Sequence, residues 1–277
     1  MKHAYVLILT SGTLFAVSFV GWILQRNTIY SGTTEVFYAL SVPLPSEIAG
    51  NHFALGEYYF NQPPYDLGSY DLEKAEHHYQ QSILETIGGS QSAPLHAWYQ
   101  LARVDFVQNK LTGAIAKLQE QLNLYGDAVP QAYYMLGLSY GYLGLETDDP
   151  EDWQRAEDNF IKFMEYAPQS PWPKVDLAWV YFSQGKYEDM IPVLEAGLAA
   201  NNDQAWLLNA YGLALFNLGE TEAARQALLR AQQSYKTLSV DDWRVAYLDS
   251  HPGTWDRGFS EFGEMIEYNL QLTTRKE

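Results

Sequence analysis

Small and large apolar residues recur along the chain in a fixed order with helical spacing. The basic motif is a large apolar residue, then Gly or Ala, and in three of five instances a Tyr three positions later. Its small residues stand 46, 35, 41 and 34 positions apart, and they are Gly56, Ala102, Gly137, Ala178 and Gly212. A pattern that returns at intervals near 34 residues is typical of an array of similar helical units.

A second small residue follows in four of the five units and predicts a second helix in each. These residues are Ala75, Ala114, Ala156 and Ala224, followed four positions later by Tyr79, Leu118, Phe160 and Leu228. In the fourth unit, Met190 and Leu194 fill the same places. Helices often end in a left-handed Gly or Asn, which predicts turns at Asn109, Gly144, Gly185 and Gly219.

On these residues the chain resembles the tetratricopeptide repeat (TPR) family. The resemblance covers residues 50 to 236 and implies an all-α fold, a right-handed α-solenoid of about five helical hairpins assigned to residues 49–236. In the first and third repeats, 19 residues separate the two small residues, against 12 in the fifth. We therefore expect inserts of about seven residues in those turns, at residues 61–68 and 146–150. The first repeat also resembles the related Sel1-like repeat.

The repeat pattern fades after Lys236, and residues 237–277 are predicted to form capping helices. Ser239 and Asp242 have the spacing of a capping box. Further on, Phe259, Phe262, Ile266 and Leu270 share one helical face. A solenoid needs such helices to cover its last apolar face. One alternative is that this C-terminal helix folds back into the binding groove.

The N-terminus carries an apolar run without a charge, from Ala4 to Leu24, with Trp22 near its end. A helix of this length spans a bilayer, so residues 1–25 are predicted to be a single-pass transmembrane anchor and residues 26–48 an extended linker. Few Lys or Arg residues follow the run, which favours export of the repeats to the periplasmic or extracellular side. The alternative is a cleaved signal peptide and a secreted protein.

Composition narrows the classes of function. The 277 residues carry 17 Lys and Arg against 34 Asp and Glu, a formal net charge of −17, and they include no Cys. Such an acidic chain repels phosphate backbones, which argues against nucleic acid as a partner. Without Cys the chain has no disulfide, thiolate metal site or cysteine nucleophile.

The candidate catalytic and metal-binding patterns are weak. Ser139 stands in a G-x-S-x-G string, but it falls inside a predicted helix and not on a strand-to-helix turn. The acidic residues around Asp149 suit a helix N-terminus, with Asp149 as N-cap and Pro150 in the first turn. His77 and His78 are adjacent, so they point about 100° apart on a helix. We therefore predict no enzyme activity, no metal and no cofactor.

The resemblance implies a concave groove lined by the first helix of each repeat. The family's ligand-facing positions carry over to a mainly aromatic set: Phe53, Tyr99, Arg103, Phe106, Tyr134, Tyr142, Trp179, Phe182 and Phe216. Since Arg103 is the one basic residue in that set, the basic clamp used for acidic chaperone tails is not expected. An aromatic groove favours a helical or extended apolar segment of a protein partner. The sequence thus predicts a membrane-anchored scaffold or assembly factor, with a constitutive subunit of a membrane complex as the alternative.

Overall fold

The computed structural model describes residues 51–60, 70–87, 95–247 and 252–274. These ranges do not include the predicted anchor with Ala4, Trp22 and Leu24, the linker 26–48 or the insert 61–68. In the described parts of the chain the secondary structure is helical, without a strand. None of the helices in these parts combines the length and the hydropathy needed to cross a membrane.

Twelve α-helices follow one another in the described ranges. They are α1 His52–Tyr59, α2 Leu72–Ile87, α3 Ala97–Val107, α4 Leu111–Tyr125, α5 Gln131–Thr147, α6 Pro150–Tyr166, α7 Trp172–Ser183, α8 Tyr187–Ala200, α9 Ala205–Asn217, α10 Thr221–Tyr235, α11 Val240–Ala246 and α12 Trp255–Leu272. The described residues up to Arg155 form one compact unit, and those from Ala156 onward form a second. We refer to them as the first and second units.

The small residues of the sequence pattern lie where two helices of a hairpin come closest. A Cβ atom added at Gly56 in α1 would lie 2.5 Å from the ring of Tyr79 in α2. One added at Gly144 in α5 would lie 2.8 Å from the ring of Trp153 in α6. The alanines at the second small position and their large partners are fully buried: Ala75, Ala114, Ala156, Ala224, Tyr79, Leu118, Phe160 and Leu228. The predicted pairing of helices is thus confirmed.

The turn prediction is right at three of its four positions. Asn109, Gly185 and Gly219 have positive φ angles of 58°, 70° and 84°. Gly144 instead lies inside α5, and the left-handed residue is Asp148, four positions later, with φ 54°. The extra residues of the third repeat therefore lengthen α5 and α6 to 17 residues each. The protruding insert predicted at residues 146–150 is wrong, because Asp148 and Asp149 alone separate the two helices.

Side-chain caps explain why α6 and α11 begin where they do. An Asp149 carboxylate oxygen accepts a hydrogen bond from the Glu151 N–H at 2.9 Å, just ahead of Pro150 at the helix start. Ser239 and Asp242 form the predicted capping box at α11. Such caps satisfy N–H groups that have no partner inside the helix.

Two of the three tyrosines at the motif's last position, Tyr140 and Tyr181, join neighbouring hairpins. In the first unit, the Tyr140 hydroxyl accepts a hydrogen bond from Gln119 of α4 at 3.0 Å. In the second unit, the Tyr181 hydroxyl donates to a carboxylate oxygen of Glu157 in α6 at 2.7 Å. In these two repeats the Tyr therefore supports the stacking of successive hairpins.

The second unit ends in a cluster of aromatic side chains. Phe262 of α12 stacks on Trp206 of α9 with ring centroids 4.9 Å apart. Phe262 and Ile266 are buried. Asn269 donates a hydrogen bond to Asn209 in α9 at 2.9 Å. The C-terminal helix packs against α9, α10 and α11 and covers the last hairpin.

Candidate partner-binding surface

The nine residues predicted to line a groove divide into a buried and a partly exposed group. The buried ones are Tyr99, Arg103, Phe106, Tyr134 and Trp179. The partly exposed ones are Phe53, Tyr142, Phe182 and Phe216. All nine lie on the first helices of hairpins, α1, α3, α5, α7 and α9. The family offsets thus fall on the first helices of the hairpins, and packing in this chain leaves four of the nine side chains partly exposed.

Two partly exposed aromatic residues of the second unit occupy equivalent places of successive repeats, four positions after the small residue. We call Phe182 on α7 and Phe216 on α9 the aromatic row. Phe182 meets Tyr187 edge-on at 5.6 Å, and Phe216 packs against buried core residues of α9 and α10. Each ring is thus held by packing on one side while part of its surface stays accessible. In the first unit, Tyr142 is also partly exposed and meets the ring of buried Phe106 edge-on at 5.6 Å.

A polar cluster fills the interior of the first unit between α1, α2 and α3. One carboxylate oxygen of Glu57 accepts hydrogen bonds from the Tyr79 hydroxyl and the Gln100 amide, both at 2.6 Å. Arg103 donates to the Gln100 side-chain oxygen. Burial raises the pKa of Glu57, while the hydrogen bond from Tyr79 and the charge of Arg103 act in the opposite direction.

Arg103 belongs to this cluster and not to the accessible surface. Its guanidinium lies over the rings of Phe60 and Tyr99, at 5.0 and 5.6 Å from their centroids, and its side chain is 1% exposed. The predicted groove residue Arg103 is therefore a structural residue of the first unit. Since its contact with Phe60 depends on how the end of α1 packs against α3, residue spacing could not show this.

A histidine contact between the first two helices has no counterpart in the sequence prediction. The Nδ1 atoms of His52 in α1 and His78 in α2 are 3.0 Å apart. The Tyr59 ring stacks on His78 at 5.6 Å and 10°. Burial lowers the pKa of His78, and the charges of His52 and His77 lower it further. Only the packing of α1 on α2 brings together residues that are 26 positions apart.

Acid should weaken the fold more in the wild type than in a His78→Gln variant. The pKa of His78 is lower in the folded than in the unfolded state, so stability is lost as pH falls below the unfolded value of about 6.5. Urea unfolding at pH 7 and pH 5 measures the effect. Glu57 titrates in both proteins, so the comparison isolates His78. Equal losses of stability in the two proteins would contradict this interpretation.

The Ser139 environment confirms its assignment to a helix. Ser139 is fully buried in α5, and its hydroxyl donates to the Met135 carbonyl oxygen at 2.7 Å. A hydroxyl engaged in its own helix does not have the exposed elbow geometry of a serine nucleophile. Within the described ranges, no group of three or more His, Asp or Glu side chains is placed to hold a metal ion.

Comparison with known proteins identifies the fold. TTC0263, a thermophilic TPR protein of Thermus thermophilus, superposes with a TM-score of 0.51 at 18% identity, over 72% of this chain and 96% of that chain. A MamA protein superposes with a TM-score of 0.51 at 17% identity, over 69% and 98%. MamA AMB-1 gives 0.50 at 14% identity, over 69% and 93%.

These superpositions show that the chain has the TPR fold. They do not extend to function, because one fold serves many activities. No protein-family model and no curated protein matches the sequence. The Sel1-like character of the first repeat stays a prediction.

Proposed function

We propose that this protein of TPR fold is a membrane-anchored scaffold that binds a protein partner through its aromatic row. The observation that carries the proposal is the partial exposure of Phe182 and Phe216 at the same position of successive repeats. Aromatic rings fixed by packing lose little conformational freedom on binding and are common interface hot spots. Their placement on the neighbouring first helices α7 and α9 suits a partner that contacts both repeats.

The partner's chemistry follows from the character of these rings and from the net charge. Edge-packed aromatic rings favour an apolar helix or extended segment laid against them. The formal charge of −17 favours partners whose flanking surface is basic and speeds their approach. The same charge disfavours nucleic acid. Such a scaffold acts by non-covalent binding alone.

Truncation of the row tests its role. The double variant Phe182→Ala with Phe216→Ala should lose the native complex of the full chain, because hot-spot truncations cost about 2 kcal/mol or more each. The matched control is Leu124→Ala with Leu229→Ala, two apolar residues on second helices that are 52% and 41% exposed. Size-exclusion chromatography of native extracts distinguishes them.

The behaviour of the variants and of the purified wild-type chain also distinguishes a scaffold from a constitutive subunit. If both double variants elute as the wild type does, the aromatic row is not the binding surface. If the wild-type chain aggregates when purified alone, the constitutive-subunit alternative gains support. Circular dichroism of each variant reports whether the fold is retained.

The anchored and exported topology is the finer part of the proposal. Ala4–Leu24 is long enough to span a bilayer, and the sequence has no Cys, so one introduced thiol gives a unique label. Gly68→Cys in intact cells should react with a membrane-impermeant maleimide at full length. Labelling of a band shorter by about 2 kDa, as signal cleavage near residue 18 implies, would favour the secreted alternative. Labelling only after lysis would place the repeats on the cytoplasmic side.

A further inference from the structure

The first described helix, α1, has the composition of an interior helix. Its residues His52–Tyr59 include one acidic residue, Glu57, and no Lys or Arg, and none of them is fully exposed. The Glu57 carboxylate faces α2 and α3, where it accepts hydrogen bonds from Tyr79 and Gln100. The helix therefore lacks the polar outer face that is typical of a surface helix.

Two helices of the second unit show what this composition implies. The interior helix α9 also has no fully exposed residue, and it packs against both α8 and α10. The last helix, α12, instead carries a row of exposed polar residues: Asp256, Arg257, Ser260, Glu264, Glu267 and Gln271. The end of a solenoid needs such a polar outer face. Since α1 matches α9 and not α12, a further element should cover its outer side.

The chain that leads into α1 supplies a segment suited to this position. The first helices α3, α5 and α9 each pack against the second helix of the preceding hairpin. Within the described ranges, no helix precedes α1 in this way. Residues 36–44 lie outside these ranges, in the predicted linker, and seven of these nine uncharged residues are apolar. We propose that residues 36–44 pack against the outer side of α1 and cap the first hairpin.

The length of the chain before α1 allows this arrangement. The eight residues of α1 extend about 12 Å, and nine residues reach about 13.5 Å even when they are helical. Residues 45–51 form the connection, and seven residues fall within the range of about two to eight that is common between packed helices. Pro45 and Gly50 in this connection favour a reversal of the chain.

The short tether makes residues 36–44 the favoured occupant. Packing removes apolar surface of both the segment and α1 from water, which favours the folded state. A second copy of the chain has to compete with a segment that is held near α1 at high effective concentration. This contact is independent of the aromatic row, which lies on α7 and α9. Loss of either one leaves the other in place.

Disulfide formation between introduced cysteines tests the contact, because the natural chain has no Cys. Gly56 faces Tyr79 of α2. Ala54, two positions earlier, therefore lies about 200° around the helix, on the outer side. In the full-length chain, Ala54→Cys is combined in turn with one of four changes: Val36→Cys, Phe37→Cys, Leu40→Cys or Leu44→Cys. Two control pairs combine Ala54→Cys with Ser31→Cys or Gly68→Cys, which are 23 and 14 positions away.

The extracts are prepared without detergent and oxidised with copper phenanthroline, and the remaining thiols are counted with a polyethylene glycol maleimide after denaturation. We expect at least one of the four pairs to form an intramolecular disulfide at least about tenfold faster than either control, because docking raises the effective concentration above that of a flexible tether. Equal rates in all six pairs, or no disulfide in the four test pairs, would overturn the proposal. Disulfide-linked dimers in place of intramolecular bonds would assign this side of α1 to a second copy.

A charge in the segment provides a second test that needs no cysteine. Phe37→Asp places a carboxylate where the proposal requires an apolar contact, so the midpoint of thermal unfolding of the full-length protein should fall. Ser31→Asp, which lies outside residues 36–44, is the matched control and should leave the midpoint unchanged. Equal midpoints in the two variants would contradict the proposed cap.

Discussion

Replacement of Trp206 by alanine is expected to lower the free energy of unfolding of the second unit by about 3–5 kcal/mol. Trp206 is 7% exposed. It stacks on Phe262 at 4.9 Å and meets Trp172 edge-on at 5.1 Å. Its indole N–H donates to the Tyr247 hydroxyl at 2.9 Å. The substitution leaves a cavity between the last repeat and its capping helices, and urea unfolding followed by circular dichroism measures the loss.

A smaller change at the same place provides the control. Tyr247→Phe keeps the ring but removes the hydroxyl that accepts the Trp206 N–H. An unsatisfied buried donor costs about 1–3 kcal/mol. The destabilisation should therefore rank Trp206→Ala above Tyr247→Phe. Near-wild-type stability of Trp206→Ala would mean that α12 does not depend on this cluster for its packing.

Replacement of Gly212 by valine is expected to destabilise the second unit by about 3 kcal/mol, through overpacking between α9 and α10. A Cβ atom at Gly212 would lie 2.5 Å from Leu228 Cγ and 3.3 Å from the Ala224 carbonyl oxygen. Leu228 is fully buried, so a shift of its side chain would disturb a close-packed interior. The midpoint of urea unfolding reports the change.

Ala210→Val in the same helix is the matched control for helix propensity. Ala210 is partly exposed, two positions before Gly212. β-branched residues cost well under about 1 kcal/mol in a helix interior, so this variant should stay close to the wild type. Equal destabilisation of the two variants would show that helix propensity, and not the close approach of α9 and α10, explains the effect.

The hairpins were predictable because close packing of two helices requires particular residues. Gly56 and Gly212 stand where a Cβ atom would collide with the facing helix. Asn109, Gly185 and Gly219 adopt the left-handed conformation that few other residues accept. Constraints of this kind act at single positions and are visible in the sequence.

The turn of the third repeat was mispredicted because a glycine has two uses. Gly144 has the spacing of a turn residue, but it makes room for Trp153 inside a longer α5. The turn falls on Asp148, a residue type that also tolerates positive φ. Local sequence did not distinguish a glycine needed for space from one needed for its conformation.

For the candidate site, the sequence predicted which helices carry the residues but not which of their side chains are accessible. Offsets within the repeat placed Tyr134 and Tyr142 on the same predicted groove, although Tyr134 is fully buried and Tyr142 is partly exposed. The contact of His52 with His78 left no signal in the sequence pattern. Both outcomes depend on which side chains from neighbouring helices meet, and residue spacing along the chain carries little information about that.

Site-specific photo-crosslinking tests the central claim most directly. Benzoyl-phenylalanine replaces either Phe182 or Phe216 in the full-length chain, and the controls carry it at Leu124 or Leu229 on second helices. After irradiation of living cells, we expect a discrete heavier adduct from positions 182 and 216 and none from 124 and 229. Adducts from the control positions alone, from all four positions equally, or from none would contradict binding through the aromatic row.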